Sequence, residues 1–166
     1  MKIKIVALAL LSLCLPAFGQ DNISVSSSKK IGVIEGLDKT SLAVSVNEVF
    51  FPGSKRRGFS IYLKCSDKTL GNISIKWGEV DGIVAALNEI KKADKSLVNF
   101  DDFSAFYRHS TGLSATKLTR QLDKKMVLNI SCGEQSSVIL DASKIDEVQS
   151  LLKQAKVLII ETEDKY

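Results

Sequence analysis

The chain has 166 residues, with 23 basic and 19 acidic side chains that give a formal net charge of +4. This length suits one domain and is enough to bury a core without a metal or a disulfide, which excludes a mini-protein that depends on such staples. The small positive charge excludes the strongly basic balance that is typical of nucleic-acid-binding proteins.

The N-terminus has the pattern of a secretory signal peptide. Two lysines precede an apolar run over Ile5–Leu15, and Ala-Phe-Gly ending at Gly19 offers small residues for cleavage. The run is shorter than the about 20 residues that a transmembrane helix needs. We therefore predict a signal peptide over 1–19, cleavage near Gly19, export to the periplasm or the medium, and no transmembrane segment afterwards. Losing the two lysines leaves 21 basic against 19 acidic residues, a charge of +2.

In the first half of the mature chain, alternation of apolar and polar residues predicts four strands and one helix. Residues 20–30 are polar and Ser-rich, which is typical of a flexible N-terminus. An apolar stripe at helical spacing from Val80 to Ile90 indicates the helix. The predicted elements are strands over 31–37, 40–51, 59–65 and 72–77 and a helix over 80–92, with a loop at 52–58 and a hairpin turn at 67–71.

The second half repeats this pattern after a polar break at 93–96. Strands are predicted over 100–108, 113–121, 126–132 and about 138–140. Ser143, with Asp146 three residues later, predicts a capped helix whose apolar stripe ends at Ala155. Residues 157–160 either extend this helix or add a closing strand, and the charged residues 161–166 are expected to fray.

The two halves can be aligned as an internal duplication. The apolar stripes of the two helices match at a constant offset of 65, and Gly78 and Ser143 both take the N-cap place. Ile73, Ile75 and Trp77 are expected to face the core. The prediction is an α+β fold with two antiparallel β-sheets and two amphipathic helices, a duplicated ββββα unit. One globular domain over 31–160 contains two pseudo-repeats, at about 31–92 and 99–156.

Two copies of four strands followed by a helix resemble the PUR-repeat and Whirly-type fold. The resemblance is carried by Ile73 to Ile90 and by Val138 to Ala155, and it covers about residues 31–156. It implies single-stranded nucleic-acid binding for proteins of this topology. The order of elements carries it without a family motif, so no binding residue is transferred, and predicted export and the near-neutral charge argue against a nucleic-acid partner.

No catalytic motif was found along the chain. His109 is the only histidine and has no acidic or thiolate neighbour at ligand spacing, so a surface loop residue without a role is expected. Adjacent Asp101 and Asp102 point to opposite faces of a strand and do not converge on a substrate. The sequence therefore predicts no catalytic residue, no metal site and no cofactor.

Two cysteines remain in the mature chain, Cys65 and Cys132, on the apolar faces of equivalent strands. In an exported protein such a pair favours a disulfide, and the alternative is two small buried hydrophobic residues. Both readings stay open, because the sequence does not specify the separation of the two strands. A bridge would close a long loop and contribute about 3–5 kcal/mol in the chain-entropy model.

A basic cluster and the strand beside it form the candidate anion-binding site. The alternative is that the cluster is a solvated hairpin tip that discourages aggregation of its aromatic neighbours. One aromatic with nearby cations on the outer face of adjacent strands is a weak single-strand-binding signature. The candidate residues are Lys55, Arg56, Arg57, Tyr62, Lys64 and Lys76.

These features favour a non-enzymatic exported binding module whose partner is a protein or a component of the cell envelope. The first alternative is an anion-binding or single-stranded nucleic-acid-binding protein that uses the six candidate residues. The second alternative is an enzyme whose site is assembled from residues that are distant in sequence.

Overall fold

Eight strands and two helices make up the computed structural model, which describes residues 23–66, 70–98 and 103–165. The predicted signal peptide, the turn at 67–69, the two aspartates at 101 and 102, the start of the strand predicted from 100, and residue 166 lie outside the described residues. The elements of the first half are β1 Val25–Glu35, β2 Ser41–Phe51, β3 Arg56–Ser66, β4 Leu70–Ile75 and α1 Val80–Lys92. Those of the second are β5 Ser104–Arg108, β6 Leu113–Thr119, β7 Met126–Cys132, β8 Ser137–Asp141 and α2 Ile145–Glu163.

The strands form two four-stranded antiparallel sheets. Sheet A has the order β1-β2-β3-β4 and sheet B the order β5-β6-β7-β8, so each sheet is a meander of neighbouring hairpins. Each sheet is followed by one helix. The predicted α+β fold with two antiparallel sheets and two helices is confirmed, and the order of elements is consistent with the duplicated ββββα unit.

Each sheet buries one face because its apolar residues alternate along the strands. In sheet A the buried face includes Leu42, Val44, Ile61 and Leu63. The same alternation in sheet B buries residues such as Leu128 and Ile130. The opposite faces are mostly polar or partly exposed, with buried Val127 as an exception in β7. We call the buried side of each sheet its inner face and the other side its outer face.

Each helix packs on the sheet of the other half. Helix α1 lies against β5 and β6, and α2 lies against β1, β2 and β3. Two ion pairs show that the helices are antiparallel: Lys91 Nζ lies 2.7 Å from Asp146 Oδ2, and Lys156 Nζ lies 2.5 Å from Asp81 Oδ2. This exchange makes one shared core out of the two halves.

The side chain of Leu151 in α2 packs directly over a glycine in β1. A Cβ on Gly32 would lie 2.6 Å from Leu151 Cδ2, so a larger residue there would require the Leu151 side chain to move. A bulge between Lys30 and Gly32 shifts the register of β1 against β2 at the same point.

The first strand starts earlier and the last helix ends later than expected. Strand β1 begins at Val25 rather than at residue 31, because its exposed residues 25–30 pair with β2 although they carry no apolar alternation. Helix α2 runs to Glu163, so residues 157–160 extend the helix and the first three residues of the predicted tail are helical. Fully buried Ile159 provides the tertiary contact that maintains the helix over this segment.

The predicted N-caps were wrong by a few residues, because a 3-10 turn precedes each helix. Before α2 the cap is Asp141, whose Oδ1 accepts hydrogen bonds from the Ser143 amide (2.9 Å) and hydroxyl (2.6 Å). Before α1 the Lys76 amide donates to Glu79 Oε2 at 3.1 Å, and Gly78 lies inside the turn. Trp77 belongs to this turn and is half-buried at the edge of the core, whereas strand β4 ends at Ile75.

Replacement of Asp141 by Ala is expected to lower the free energy of unfolding by about 1 kcal/mol at neutral pH, because two donors lose their acceptor. The hydrogen bonds from Ser143 lower the pKa of the Asp141 carboxyl below its ordinary value. A lowered carboxyl pKa contributes stability above the unfolded-state pKa and loses it as the carboxyl is protonated. The difference between wild type and Asp141→Ala, measured by urea unfolding, should therefore shrink below about pH 4.

Ser143→Ala provides the control, because it removes only the hydroxyl donor and keeps the hydrogen bond from the amide. Its loss of stability should be smaller than that of Asp141→Ala. Equal stability of Asp141→Ala and wild type at pH 7 would contradict the assignment of the cap.

Candidate functional sites

The six candidate anion-binding residues do not form one surface. Along β3 the side chains alternate, which places Arg57 on the inner face with Phe59 and Ile61 and places Arg56 and Tyr62 on the outer face. Arg56 and Tyr62 are six residues apart, which corresponds to about 20 Å along a strand. The set divides into a group at the end of sheet A and a second group on its outer face.

The first group lies at the β2–β3 hairpin, which projects from the protein. The last position of this hairpin that packs against the core is Phe59, opposite Glu48, and Phe51 opposite Arg56 closes the hairpin three residues farther on. Three residues of strand extend about 10 Å. The turn over residues 52–55 is exposed, and Lys55 adopts a left-handed backbone conformation with φ 53°. We name Phe50, Phe51, Lys55, Arg56 and Arg57 the aromatic–basic tip.

One of the three cations of the tip is neutralised. Arg57 Nη1 lies 2.5 Å from Glu48 Oε1, and its guanidinium lies 5.0 Å from the centroid of the Phe50 ring. Lys55 and Arg56 form no ion pair within the described residues. The tip therefore presents two free positive charges to solvent, and Arg57 holds the hairpin together.

Exposed apolar side chains surround these charges. Phe51 is 41% exposed, and Val25, which pairs with Phe50 across the sheet, is 58% exposed. Ile23 is 69% exposed and precedes Val25 by two residues. The tip therefore presents exposed apolar side chains beside two unpaired cations, which makes it a candidate interaction surface.

The second group lies on the outer face of sheet A. The register places Tyr62 opposite Ser45 and Ser74, and Lys64 lies on the same face. Lys76 follows the last residue of β4 and begins the 3-10 turn. Tyr62 is half-buried between its polar neighbours. One half-buried aromatic gives no stacking platform for successive bases. This face therefore provides positive charge but lacks the aromatic platform that a single-strand-binding site also needs.

A polar cleft in sheet B was not anticipated from the sequence. The turns at the same end of hairpins β5–β6 and β7–β8 enclose a volume of ≈ 700 Å³. We name it the hairpin cleft; it is lined by Arg108, His109, Ser110, Gly112, Ser114, Ser131, Gly133 and Glu134. In an antiparallel meander, every second turn lies at the same end of the sheet. The predicted strand order alone would therefore have placed the β5–β6 and β7–β8 turns together.

His109 stabilises the turn that forms one wall of this cleft. Its Nδ1 lies 2.9 Å from Thr111 Oγ1 and accepts the Thr111 amide at 3.4 Å. These contacts are local to the turn, and through them the half-buried ring of His109 stabilises the turn.

The two predicted cysteines come together in the core. Their sulfur atoms lie at disulfide distance, 2.03 Å, with Cα atoms 5.7 Å apart, and both side chains are buried. The pair joins β3 of the first half to β7 of the second. This position between the halves makes it structural, because a reactive thiol needs solvent exposure and positive neighbours.

The lowered carboxyl pKa values belong to turns rather than to the cleft or the tip. Hydrogen bonds from Ser96 lower the pKa of Asp94, and the hydrogen bond from Arg120 lowers the pKa of Asp123 to about 2. Catalytic sites concentrate perturbed groups in a cleft. Here these carboxyls stabilise local backbone structure.

Within the described residues, no group of three or more His, Cys, Asp and Glu side chains is placed to hold a metal ion. Neither helix described is long and apolar enough to cross a membrane. No protein-family model matches the sequence, and the comparison with characterised proteins gives no match either, so function is argued from the molecule itself.

Proposed function

We propose that the protein is a non-enzymatic, exported binding module that attaches to the anionic membrane surface of the cell envelope through the aromatic–basic tip. The observation that carries the proposal is the presence of two unpaired cations, Lys55 and Arg56, beside exposed Phe51 on a projecting hairpin. Anionic lipid headgroups attract the cations, and the aromatic ring enters the interfacial layer.

The charge of the tip predicts weak, reversible binding. Three cations less the carboxylate of Glu48 leave +2. Each basic residue near an anionic membrane contributes about 1 kcal/mol, and the attraction falls off within a Debye length. Insertion of Phe51 adds an apolar contribution that salt does not screen. Binding should therefore weaken with salt without vanishing.

Two features support export. The N-terminal pattern that ends at Gly19 predicts a signal peptide. The buried pair Cys65 and Cys132 at disulfide distance fits an oxidising compartment. A non-enzymatic role is supported by the position of the carboxyls with lowered pKa values, Asp94, Asp123 and Asp141, which lie at turns and not in a cleft.

Flotation with lipid vesicles tests the proposal. The mature protein is expected to bind vesicles of phosphatidylglycerol and phosphatidylcholine at low salt, and to remain free with phosphatidylcholine alone. Arg56→Ala should weaken this binding about fivefold, which is the loss of one interfacial charge. Phe51→Ser should weaken the residual binding at high salt, because it removes the apolar contribution.

Lys64→Ala is the matched control, since it removes an equal charge from the same strand on the outer face of sheet A. It should bind as the wild type does. Equal loss in Lys64→Ala and Arg56→Ala would mean non-specific charge attraction and would overturn the proposal. So would binding to a single-stranded oligonucleotide in preference to anionic vesicles at the same salt concentration.

A further inference from the structure

We propose that the hairpin cleft of sheet B is a binding site for a small anionic saccharide, a polyhydroxylated ligand that carries one carboxylate or phosphate group. The cleft belongs to the second half of the chain and lies at turns between β5 and β6 and between β7 and β8. The aromatic–basic tip is the β2–β3 turn of sheet A. The proposal therefore stands independently of the membrane attachment proposed above.

The floor of the cleft is part of a row of side chains that crosses the outer face of sheet B, and Arg108, Ser114 and Ser131 of this row line the cleft. The register pairs Arg108 with Ser114, Ser114 with Ser131, and Ser131 with Ser137. Paired residues of neighbouring antiparallel strands carry side chains on the same face about 5 Å apart. We name these four residues the hydroxyl row. The serine hydroxyls that line the cleft are those of Ser110, Ser114 and Ser131. Each can donate and accept, and together with the Arg108 guanidinium they match the hydroxyl groups and the oxyanion of such a ligand.

Arg108 supplies the charge for the oxyanion. Its guanidinium lies 5.7 Å from the centroid of the Phe106 ring, on the same face of β5, and this contact limits its orientation. Within the described residues it forms no ion pair. A guanidinium with free donors can bind a carboxylate or phosphate through two parallel hydrogen bonds.

Glu134 lines the opposite wall and is exposed at the rim. It also forms no ion pair within the described part of the chain, although Arg108 lines the same cleft. A carboxylate accepts hydrogen bonds from sugar hydroxyls, whereas it repels a simple anion. The combination selects a ligand that has donors as well as an oxyanion.

The walls of the cleft are preorganised. The Gly133 amide donates to the Gly112 carbonyl at 3.2 Å, which connects the two turns directly. Both glycines have positive φ, +89° and +86°, a conformation that other residues rarely adopt. Apart from His109, the residues that line the cleft include no aromatic side chain, so bases or other flat rings would find no partner for stacking.

The first half of the chain shows that the hydroxyl row is not a by-product of the fold. The equivalent row of sheet A, in strand order, is Val33, Ala43, Lys64 and Asn72. Lys64 takes the place of Ser131 at the repeat offset of 67, and Asn72 takes the place of Ser137 at the offset of 65. The same backbone position thus carries hydroxyls only in the half that has the cleft.

Titration of ¹⁵N-labelled mature protein with D-glucuronate, observed through amide chemical shifts, tests the inference. Shifts are expected at residues 108–114 and 131–134. A parallel titration with D-glucose 6-phosphate tests a ligand that carries phosphate in place of carboxylate. Arg108→Gln should weaken the binding of whichever ligand shifts these amides by about tenfold, because one charge-assisted contact is lost. Ser131→Ala should weaken it less, and Lys64→Ala, the equivalent position in sheet A, should bind as the wild type does.

Thermal unfolding of each variant shows whether it is folded before its affinity is compared. No shifts in the cleft with either anionic sugar would overturn the proposal, as would unchanged affinity of folded Arg108→Gln. Equal shifts with neutral D-glucose would remove the role of the oxyanion. Equal shifts with acetate would remove the role of the hydroxyls, and either result contradicts the inference.

Discussion

Loss of the cross-link between Cys65 and Cys132 is expected to lower the free energy of unfolding by about 4 kcal/mol, the value that the chain-entropy model gives for a loop of this length. The two residues are 67 apart in sequence and join strands of different halves. Without the link, the unfolded chain gains conformational freedom. The measurement is urea unfolding of the double variant Cys65→Ala/Cys132→Ala and of wild type, with and without reductant.

The reductant provides the internal control. Reductant should destabilise the wild type and leave the double variant unchanged, because the variant has no bond to reduce. Mass spectrometry after alkylation of the denatured, non-reduced protein should find no free thiol at either cysteine. Alkylation of both thiols, or an unfolding midpoint that reductant does not change, would contradict the cross-link.

Replacement of Gly71 by Ala is expected to lower the free energy of unfolding by about 3 kcal/mol, at the upper end of the cost of overpacking. Gly71 is the second residue of β4 and lies where the two halves meet. A Cβ there would lie 2.3 Å from Ser136 Cβ and 2.5 Å from the Cys132 carbonyl oxygen. The hydroxyl of buried Ser136 donates to the Cys65 carbonyl at 3.1 Å, so its position is constrained too. Urea unfolding measures the effect.

Gly82→Ala is the matched control, because a Cβ on Gly82 meets no atom within 4 Å and the residue lies inside helix α1. Alanine is the better helix former, so this variant should gain about 0.5–1 kcal/mol. A Gly71→Ala protein as stable as the wild type would show that the two halves do not approach as closely as described.

Each half of the chain carries one of the two proposed sites. The first half has long strands whose hairpin projects with Lys55 and Arg56, and the second has short strands whose turns enclose the hairpin cleft. If both proposals hold, the duplication has kept a common core while the outer surfaces diverged. The core is shared because each helix packs on the other sheet, so neither half is expected to fold alone.

Local periodicity made much of the fold predictable. Strand β2 and helix α1 were predicted within one residue of their observed bounds, because alternation and helical spacing are short-range properties that burial of one face reinforces. The start of β1 and the end of α2 were not predicted within one residue. Residues 25–30 lack an apolar pattern, and the extension of α2 depends on a tertiary contact of Ile159.

The candidate sites were less predictable, because they depend on which strand face a residue occupies and on contacts between distant segments. The sequence identified Lys55, Arg56 and Arg57 as a cluster because they are adjacent, but strand alternation separates Arg57 from Arg56. The hairpin cleft joins Arg108 to Ser131 and Glu134, which are more than 20 residues away in the chain and had no local signal in common.

By itself, the sequence determined the alternation of strands and helices, the duplication, and the choice of Cys65 and Cys132 as a pair. Those properties follow from residue periodicity and from offsets along the chain. Only the tertiary structure decided that the helices exchange sheets, that the cysteines meet, that one hairpin projects, and that a row of hydroxyls lies across sheet B. These depend on strand register and on packing between distant segments, which no window of sequence contains.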